Sequence, residues 1–267
     1  MATAKDHLSE SDVRAIVRLI GKAAGSVSDL LVRKQGLLSG LARLVTADGW
    51  LWSVTRVQNN VPVCCGLLHG GLTPMQLTAW AESSQVTDPQ LPETPGCLEI
   101  SRQQVHATRS REQLVPDETW YSHPTVRKYR LEAGIDDFLY SLYPLGEPGF
   151  VSAIGLYRHV GRPRFSARDR RIVHIVLSEV PWLHVAGLPG DLGQSVPELS
   201  PRRRTVLVML LNGMSRKEIG KALGISGNTA RDHIEAVYAH LGVSSHVDLV
   251  RRFYCGDGND MGQEKGS

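Results

Sequence analysis

Helix punctuation is densest between Leu199 and Phe253, and it leaves this stretch few alternatives. Ser200-Pro201 provides an N-cap followed by proline at the first helical position, and Asn212-Gly213 stops the run that carries Val206, Leu207, Leu210 and Leu211. Ser215-Arg216-Lys217-Glu218 is a complete capping box: the serine oxygen can accept from the glutamate N–H while the glutamate reaches back to the serine N–H. The helix it opens turns Ile219, Ala222 and Leu223 inward and ends at Gly224. Ser226 caps a third helix, in which Ala230, Ile234, Val237 and Leu241, spaced four, three and four, form one apolar stripe before Gly242. Ser245 and Asp248 open a fourth, which contributes Leu249, Val250 and Phe253. The expectation is an all-α four-helix module over 199–253.

The stretch from Val185 to Pro197 holds three Gly and two Pro in thirteen residues, and it reads as a linker at 187–198. Residues 254–267 are almost without apolar side chains and read as a disordered tail. Residues 10–186 are left as a separate domain, long enough to bury a core of their own. In it, Ser11 or Asp12 can cap a helix carrying Val13, Ile16, Val17, Ile20 and Ala24, and Leu31, Leu38, Leu41 and Val45 mark a second over 29–46. Trp50–Val57 and Val61–His69 are rich in aromatic and β-branched residues and flank Gln58-Asn59-Asn60, a hairpin pattern. Thr73-Pro74 starts a short helix, whereas residues 84–120 carry no clear period. Phe138–Leu145 and Phe150–His159 flank the turn Gly146-Glu147-Pro148-Gly149, a second hairpin. Ser166 and Asp169 then form a capping box for a long helix with Ile172, Val173, Ile175, Val176, Leu177 and Val180, kinked at Pro181 and reaching Leu183. This order describes an α+β domain, an antiparallel sheet with helices on one face.

The net charge of +3 is unevenly placed. Residues 199–253 carry nine Lys and Arg against four Asp and Glu, the tail stands at −2, and residues 1–198 sum to zero. A compact basic module is the electrostatic footprint of a nucleic-acid binder. Two short helices joined by the turn Leu223-Gly224-Ile225-Ser226, the second with a polar face, form a helix-turn-helix whose third helix can enter the major groove. Asn228, Arg231 and Glu235 lie opposite the apolar stripe, flanked by Thr229 and Asp232. Arg231 is the candidate base reader, because its fork can donate twice to guanine. Lys217, Ser226, Thr229 and His233 are placed as phosphate contacts.

Leu199-Ser-Pro-Arg202, Asn212-Gly-Met-Ser-Arg-Lys-Glu-Ile-Gly-Lys-Ala-Leu-Gly-Ile-Ser226, Asn228-Thr-Ala-Arg-Asp-His233 and Leu241-Gly-Val243 together resemble the LuxR-type DNA-binding domain nearly end to end. The resemblance implies a module that binds DNA as a dimer through its fourth helix. It puts DNA contacts at Lys217, Ser226, Asn228, Thr229, Arg231, Asp232, His233 and Glu235. The chain departs from the pattern at Arg203 and Thr205, where acidic residues are usual, and at His240, where a lysine is usual. The element order of residues 10–186, above all the last hairpin followed by Phe165-Ser-x-x-Asp169 and a long helix, resembles GAF and PAS sensor domains. In that reading signal binding acts through the long helix and the linker.

With 42% hydrophobic and 21% charged residues the composition is that of a globular protein. No apolar run approaches roughly 18 residues and the N-terminus is polar, so a cytoplasmic chain away from any membrane is expected. Cys64, Cys65, Cys97 and Cys255 are too few for a disulfide framework and include no CxxC pair, so reduced thiols are expected. Cys64, Cys65 and His69 invite thiol chemistry, yet His69 shares a face with Cys65 only in an undistorted strand. His123 and His174 read as structural. Asp136-Asp137 follows a helix in mid-domain, against a phosphoacceptor receiver. No Gly-rich phosphate loop, catalytic carboxylate pair or nucleophile elbow is present, so neither enzymatic activity nor a cofactor or metal is expected. Trp50, Trp52, Trp80, Trp120 and Tyr121 could line a pocket for a small molecule, although such aromatics are more often core.

The sequence therefore reads as a regulator: an α+β sensor or dimerisation domain joined to a helix-turn-helix, binding double-stranded DNA as a homodimer. A small-molecule ligand and RNA polymerase stand as candidate further partners. The alternative is a ligand-free interaction or oligomerisation protein whose helix-turn-helix is weak or protein-directed, because Arg203, Asp232 and Glu235 detract from a DNA surface.

Overall fold

A computed structural model describes residues 7–25, 30–58, 61–83, 91–146, 150–185, 200–211 and 214–249, the side chains of 31, 56–58, 61–67, 201, 204, 208 and 211 excepted. The assigned linker 187–198, the tail 254–267, Asn59-Asn60, Glu147–Gly149, Asn212-Gly213, Val250 and Phe253 lie outside the described residues, as do the side chains of Cys64, Cys65 and Leu211.

Both expected hairpins are present. β1 (Gly49–Gln58) pairs with β2 (Val61–Gly70), and β4 (Ile135–Pro144) pairs with β5 (Phe150–His159). β1 and β5 join them, and a short strand, β3 (Ala107–Ser110), adds at the far edge, giving a five-stranded antiparallel sheet in the order β2-β1-β5-β4-β3. The β1–β2 register slips between Val54 and Thr55, which pair with Gly66 and Cys64, so the strand is distorted opposite Cys65.

Because side chains alternate across a strand, each strand feeds two cores. Trp50, Trp52, Val54, Leu139, Ile154 and Leu156 face one layer, with α1 (Glu10–Ala24), α2 (Leu30–Leu44), α8 (Ala167–Ser178) and α9 (Pro181–Val185). Leu51, Phe138 and Tyr157 face the other, with α3 (Pro74–Ser83), α4 (Thr94–Gln103), α5 (Arg111–Leu114), α6 (Asp117–Ser122), α7 (Pro124–Val126) and a π-helical turn at Arg127–Leu131. Helices thus cover both faces, not one. α4, α5 and most of α6 in the second layer come from the stretch in which no period was legible, since these helices are short and each buries few residues.

Two further expectations shift. Ser9, not Ser11 or Asp12, caps α1, and Asp12 completes its capping box and turns inward to an ion pair with Arg168 of α8. The helix rotates accordingly: Ile16 and Ala23 are buried while Val13 and Val17 stay exposed. The long helix does start at Ser166 with its capping box to Asp169, but it stops at Ser178 and Pro181 begins a new one. Arg158 ties β5 to the first layer, donating to the carbonyls of Val45, Pro163 and Arg164, each at 2.7 Å, with Asp169 3.3 Å away.

The C-terminal part is helical: α10 (Pro201–Leu211), α11 (Arg216–Leu223), α12 (Gly227–Leu241), and a further helical turn at 246–249 that begins the expected fourth helix. Val206, Leu207, Leu210, Ile219, Ala230, Val237, Leu241 and Leu249 are buried in it and Met209 joins them, whereas Leu223 and Ile234 are only half-buried and Ala222, expected to face inward, is exposed, because α11 is two turns long and turns only Ile219 and Gly220 fully into the core.

Candidate nucleic-acid interface

The turn between α11 and α12 is built by local chemistry. Ser215 Oγ accepts from the Glu218 N–H and the Glu218 carboxylate accepts from the Ser215 N–H at 2.8 Å, so the capping box is complete. These bonds hold the Glu218 carboxyl below its usual range. At the other end Gly224 takes φ 62°, its N–H reaching back to Lys221 and that of Ile225 to Gly220, which satisfies two terminal carbonyls and reverses the chain. A Cβ on Gly220 would lie 3.2 Å from the Ile225 carbonyl oxygen, so the glycine lets helix and turn approach closely. Ser226 then caps α12 by accepting from the Thr229 N–H at 3.1 Å, and the two hydroxyls share a hydrogen bond of 2.9 Å.

With Ala230, Val237 and Leu241 buried, the opposite side of α12 must face solvent. Asn228, Thr229, Arg231, Asp232 and Glu235 are exposed there, as are Ser226 at its start and Lys217 on the first turn of α11; His233 is half-buried at the flank. The eight residues named from the sequence therefore lie on α11 and α12 or at the start of α12. Arg231 is engaged within the chain: its Nε lies 3.6 Å from Glu235 Oε1 and 3.9 Å from Asp232 Oδ1. Two contacts that the sequence did not announce brace this unit. Arg202 donates to the Leu223 carbonyl at the end of α11, and His246 is bonded to the Leu210 carbonyl at 2.7 Å. Arg202 is thus a cation at the C-terminus of α11, a place that only the fold gives it, since in sequence it stands in the first turn of α10.

The five aromatic residues proposed for a ligand pocket are not gathered in one place. Trp50 and Trp52 sit in the first core, where their indole N–H groups donate to Ser39 and Ser152. Trp80 and Trp120 belong to the second, on the other side of the sheet, and Tyr121 is exposed with its hydroxyl toward Asp136. His123 stands at the N-cap position of α7 without a side-chain capping bond, and His174 is hydrogen-bonded to Thr108.

The second layer instead holds a polar pair with no signature in the sequence. Arg130, on the π-helical turn, lies 3.1 Å from Glu93 and donates to Ser83 Oγ at 3.0 Å, with both charged side chains 4% exposed. Arg130 Nε and Glu93 Oε2 are buried and have no hydrogen-bond partner among the described residues. Tyr140, Tyr157 and Cys97 surround them; burial pushes the Tyr157 hydroxyl up to about 12 and the Cys97 thiol higher still. A thiol so disfavoured as thiolate is no nucleophile. Each orphaned buried polar atom costs roughly 1–3 kcal/mol unless something satisfies it.

Comparison with known proteins bears on the C-terminal segment. Residues 197–253 match the family model for bacterial regulatory proteins of the luxR family. YhjB of Escherichia coli (strain K12), named as a candidate HTH-type transcriptional regulator, is 44% identical over 71 residues, 24% of this chain and 35% of that protein. The transcriptional regulatory protein MctR of Rhizobium johnstonii is 36% identical over 64 residues, 22% of this chain and 30% of its own length. The match thus spans about a third of the length of each of these two relatives. Among solved structures, SdiA of Escherichia coli aligns over 89% of this chain and 94% of its own at 12% identity and a TM-score of 0.40. The C-terminal segment carries a LuxR-type helix-turn-helix; the match does not extend to the α+β part.

Proposed function

We propose that the protein is a transcriptional regulator that binds double-stranded DNA as a homodimer, with α12 in the major groove and the α+β domain as its sensor. One observation carries the DNA reading. In a segment that matches the luxR model, α12 is capped by Ser226, buries its Ala230–Leu241 stripe and presents Asn228, Arg231 and Glu235 to solvent. Arg231 reads a base edge and trades Glu235 for it; Lys217, Ser226, Thr229 and His233 hold phosphates, with Asn228 and Asp232 beside them. One module of this size buries too little surface for a specific complex, so two act on half-sites about one helical turn apart.

The orphaned atoms of Arg130 and Glu93 support the sensing part. A ligand offering one acceptor and one donor within the second layer would complete both groups, and a π-helical turn is a frequent mark of such sites. α3 connects this place to the DNA-binding part: its Ser83 binds Arg130, and its Met75, Thr78, Ala79 and Glu82 share a cleft of about 650 Å³ with Met214, Glu218, Lys221 and Ala222 beside and on α11.

Binding to a selected site, followed by anisotropy across a salt series, tests the reading. Arg231→Ala should weaken the specific site by about 1–3 kcal/mol and relax one base position. Equal loss on every sequence would make Arg231 a phosphate contact instead. Affinity that does not fall as salt rises would favour the protein-directed alternative, to which the acidic neighbours of Arg231 lend support.

A further inference from the structure

A groove of about 480 Å³ runs between the edge strand β3 and α8, in the first layer and so across the sheet from the Arg130–Glu93 pair. Arg109, Arg170 and Arg171 line it together with His106, His174 and Thr108, and no Asp or Glu is among its lining residues. None of the three arginines has a carboxylate partner among the described residues. The contrast with their neighbours is sharp: Arg168 on the same helix is paired with Asp12 and Asp169, and Arg111, just past β3, with Asp117 and Asp137. Arg109 spends one N–H on the Thr108 carbonyl at 3.2 Å, which leaves most of its fork.

The floor is rigid and polar. Thr108 Oγ1 is bonded to Ser141 Oγ at 2.9 Å and to His174 Nδ1 at 3.2 Å, while His106 is bonded to Ser141 at 2.8 Å and to Ser178 at 3.0 Å. The two imidazoles stack with centroids 4.5 Å apart. These bonds occupy Nδ1 of His174 and leave its Nε2 without a partner among the described residues. Three cations brought together without a counter-charge repel one another, and guanidinium forks match the oxygens of a phosphoryl group. The volume and concavity suit a small molecule, whereas a duplex backbone would need an open track.

We infer that this groove binds a small phosphate-bearing molecule, its dianionic phosphoryl group held by Arg109 and Arg170, with Arg171 at the rim and His174 Nε2 as an additional donor. The inference is independent of the DNA-binding reading. The groups facing His174 are Arg109 and Thr108 from β3, His106 before it, and Arg170 and Arg171 from α8; burial and the charges of Arg109 and Arg170 keep the free imidazole below its usual range. A bound dianion offsets those charges, so binding is accompanied by proton uptake at His174.

The test is titration of the full-length chain with inorganic phosphate and with sulfate, chloride being exchanged to hold ionic strength constant, followed by amide NMR shifts. Saturable single-site binding is expected, at least tenfold weaker in Arg109→Gln and in Arg170→Gln and unchanged in the exposed control Arg43→Gln. Neither loss would come from unfolding, because removing an unpaired cation leaves the phosphate-free melting temperature equal or higher. Sulfate does not titrate in this range, so its affinity should rise as pH falls from 8 to 5.5 and should lose that rise in His174→Gln. Absence of saturation at tens of millimolar, or binding equally strong in both arginine variants, overturns the inference. Displacement of phosphate by duplex DNA, with DNA affinity lost in the same variants, also overturns it and makes the groove a backbone contact.

Discussion

Arg231, the proposed base reader, has an internal partner already in place. Its exposed pair with Glu235 is worth no more than about 1 kcal/mol, which a guanine edge can outbid, so on the proposed reading Glu235 would act as a brake on unspecific phosphate binding. Glu235→Gln should therefore raise affinity for random duplex at low salt several-fold and narrow the gap to a specific site; an unchanged gap in a competition assay would remove Glu235 from recognition. The buried histidines carry a second residue-scale expectation. His184 is fully buried, bonded to Ser152 and to the Leu177 carbonyl, and desolvation takes its pKa down to about 4, as it does for His106. The folded chain thus takes up these protons only near pH 4 while the unfolded chain takes them up near 6.5. Between those values the unfolded state binds more protons and stability falls as pH falls, by up to about 1.4 kcal/mol per pH unit for a group such as His184. Melting temperature should drop steeply from pH 6.5 to 4, and His184→Gln should start lower but show a shallower drop; identical slopes would contradict the assignment.

At the scale of elements, caps were the legible feature. Ser215, Gly224, Ser226 and Gly242 mark the ends of α11 and α12 as read, because capping is a contract between residues three or four apart. Ser215→Ala and Gly224→Ala should each cost about 1 kcal/mol, the latter because a side chain is forced to positive φ, and each should weaken DNA binding by loosening the turn. A melt of either variant that matches the parent would show the turn to be held by packing alone. Legibility failed where the deciding partner was distant. Asp12 turns inward because Arg168, 156 residues away, is there to meet it, and that ion pair rotates α1 away from its own apolar period. β3 is four residues long and exists only because β4 offers an edge, and the short helices of the second layer bury too few residues to show a 3.6-residue rhythm.

For the whole molecule, the two hairpins and the helices flanking them followed from the sequence, while the buried polar pair of the second layer did not. Ser83, Glu93 and Arg130 come from three segments, and only the fold brings them together; aromatic composition pointed instead to five residues that the sheet keeps apart. If the pair is the sensor's polar anchor, Glu93→Gln should melt lower, since removing one partner of a buried ion pair costs about 3–5 kcal/mol, and it should lose any ligand-dependent change in DNA affinity. Retained ligand response in that variant would place sensing elsewhere. The central claim is that two copies of the LuxR-type module read DNA sequence. It is tested most directly by selecting genomic fragments with the purified full-length chain at low and high salt. Enrichment of a dyad-symmetric motif with half-sites about one helical turn apart, surviving the higher salt, is the expected result. Retention that is sequence-blind at low salt and vanishes at high salt would contradict it.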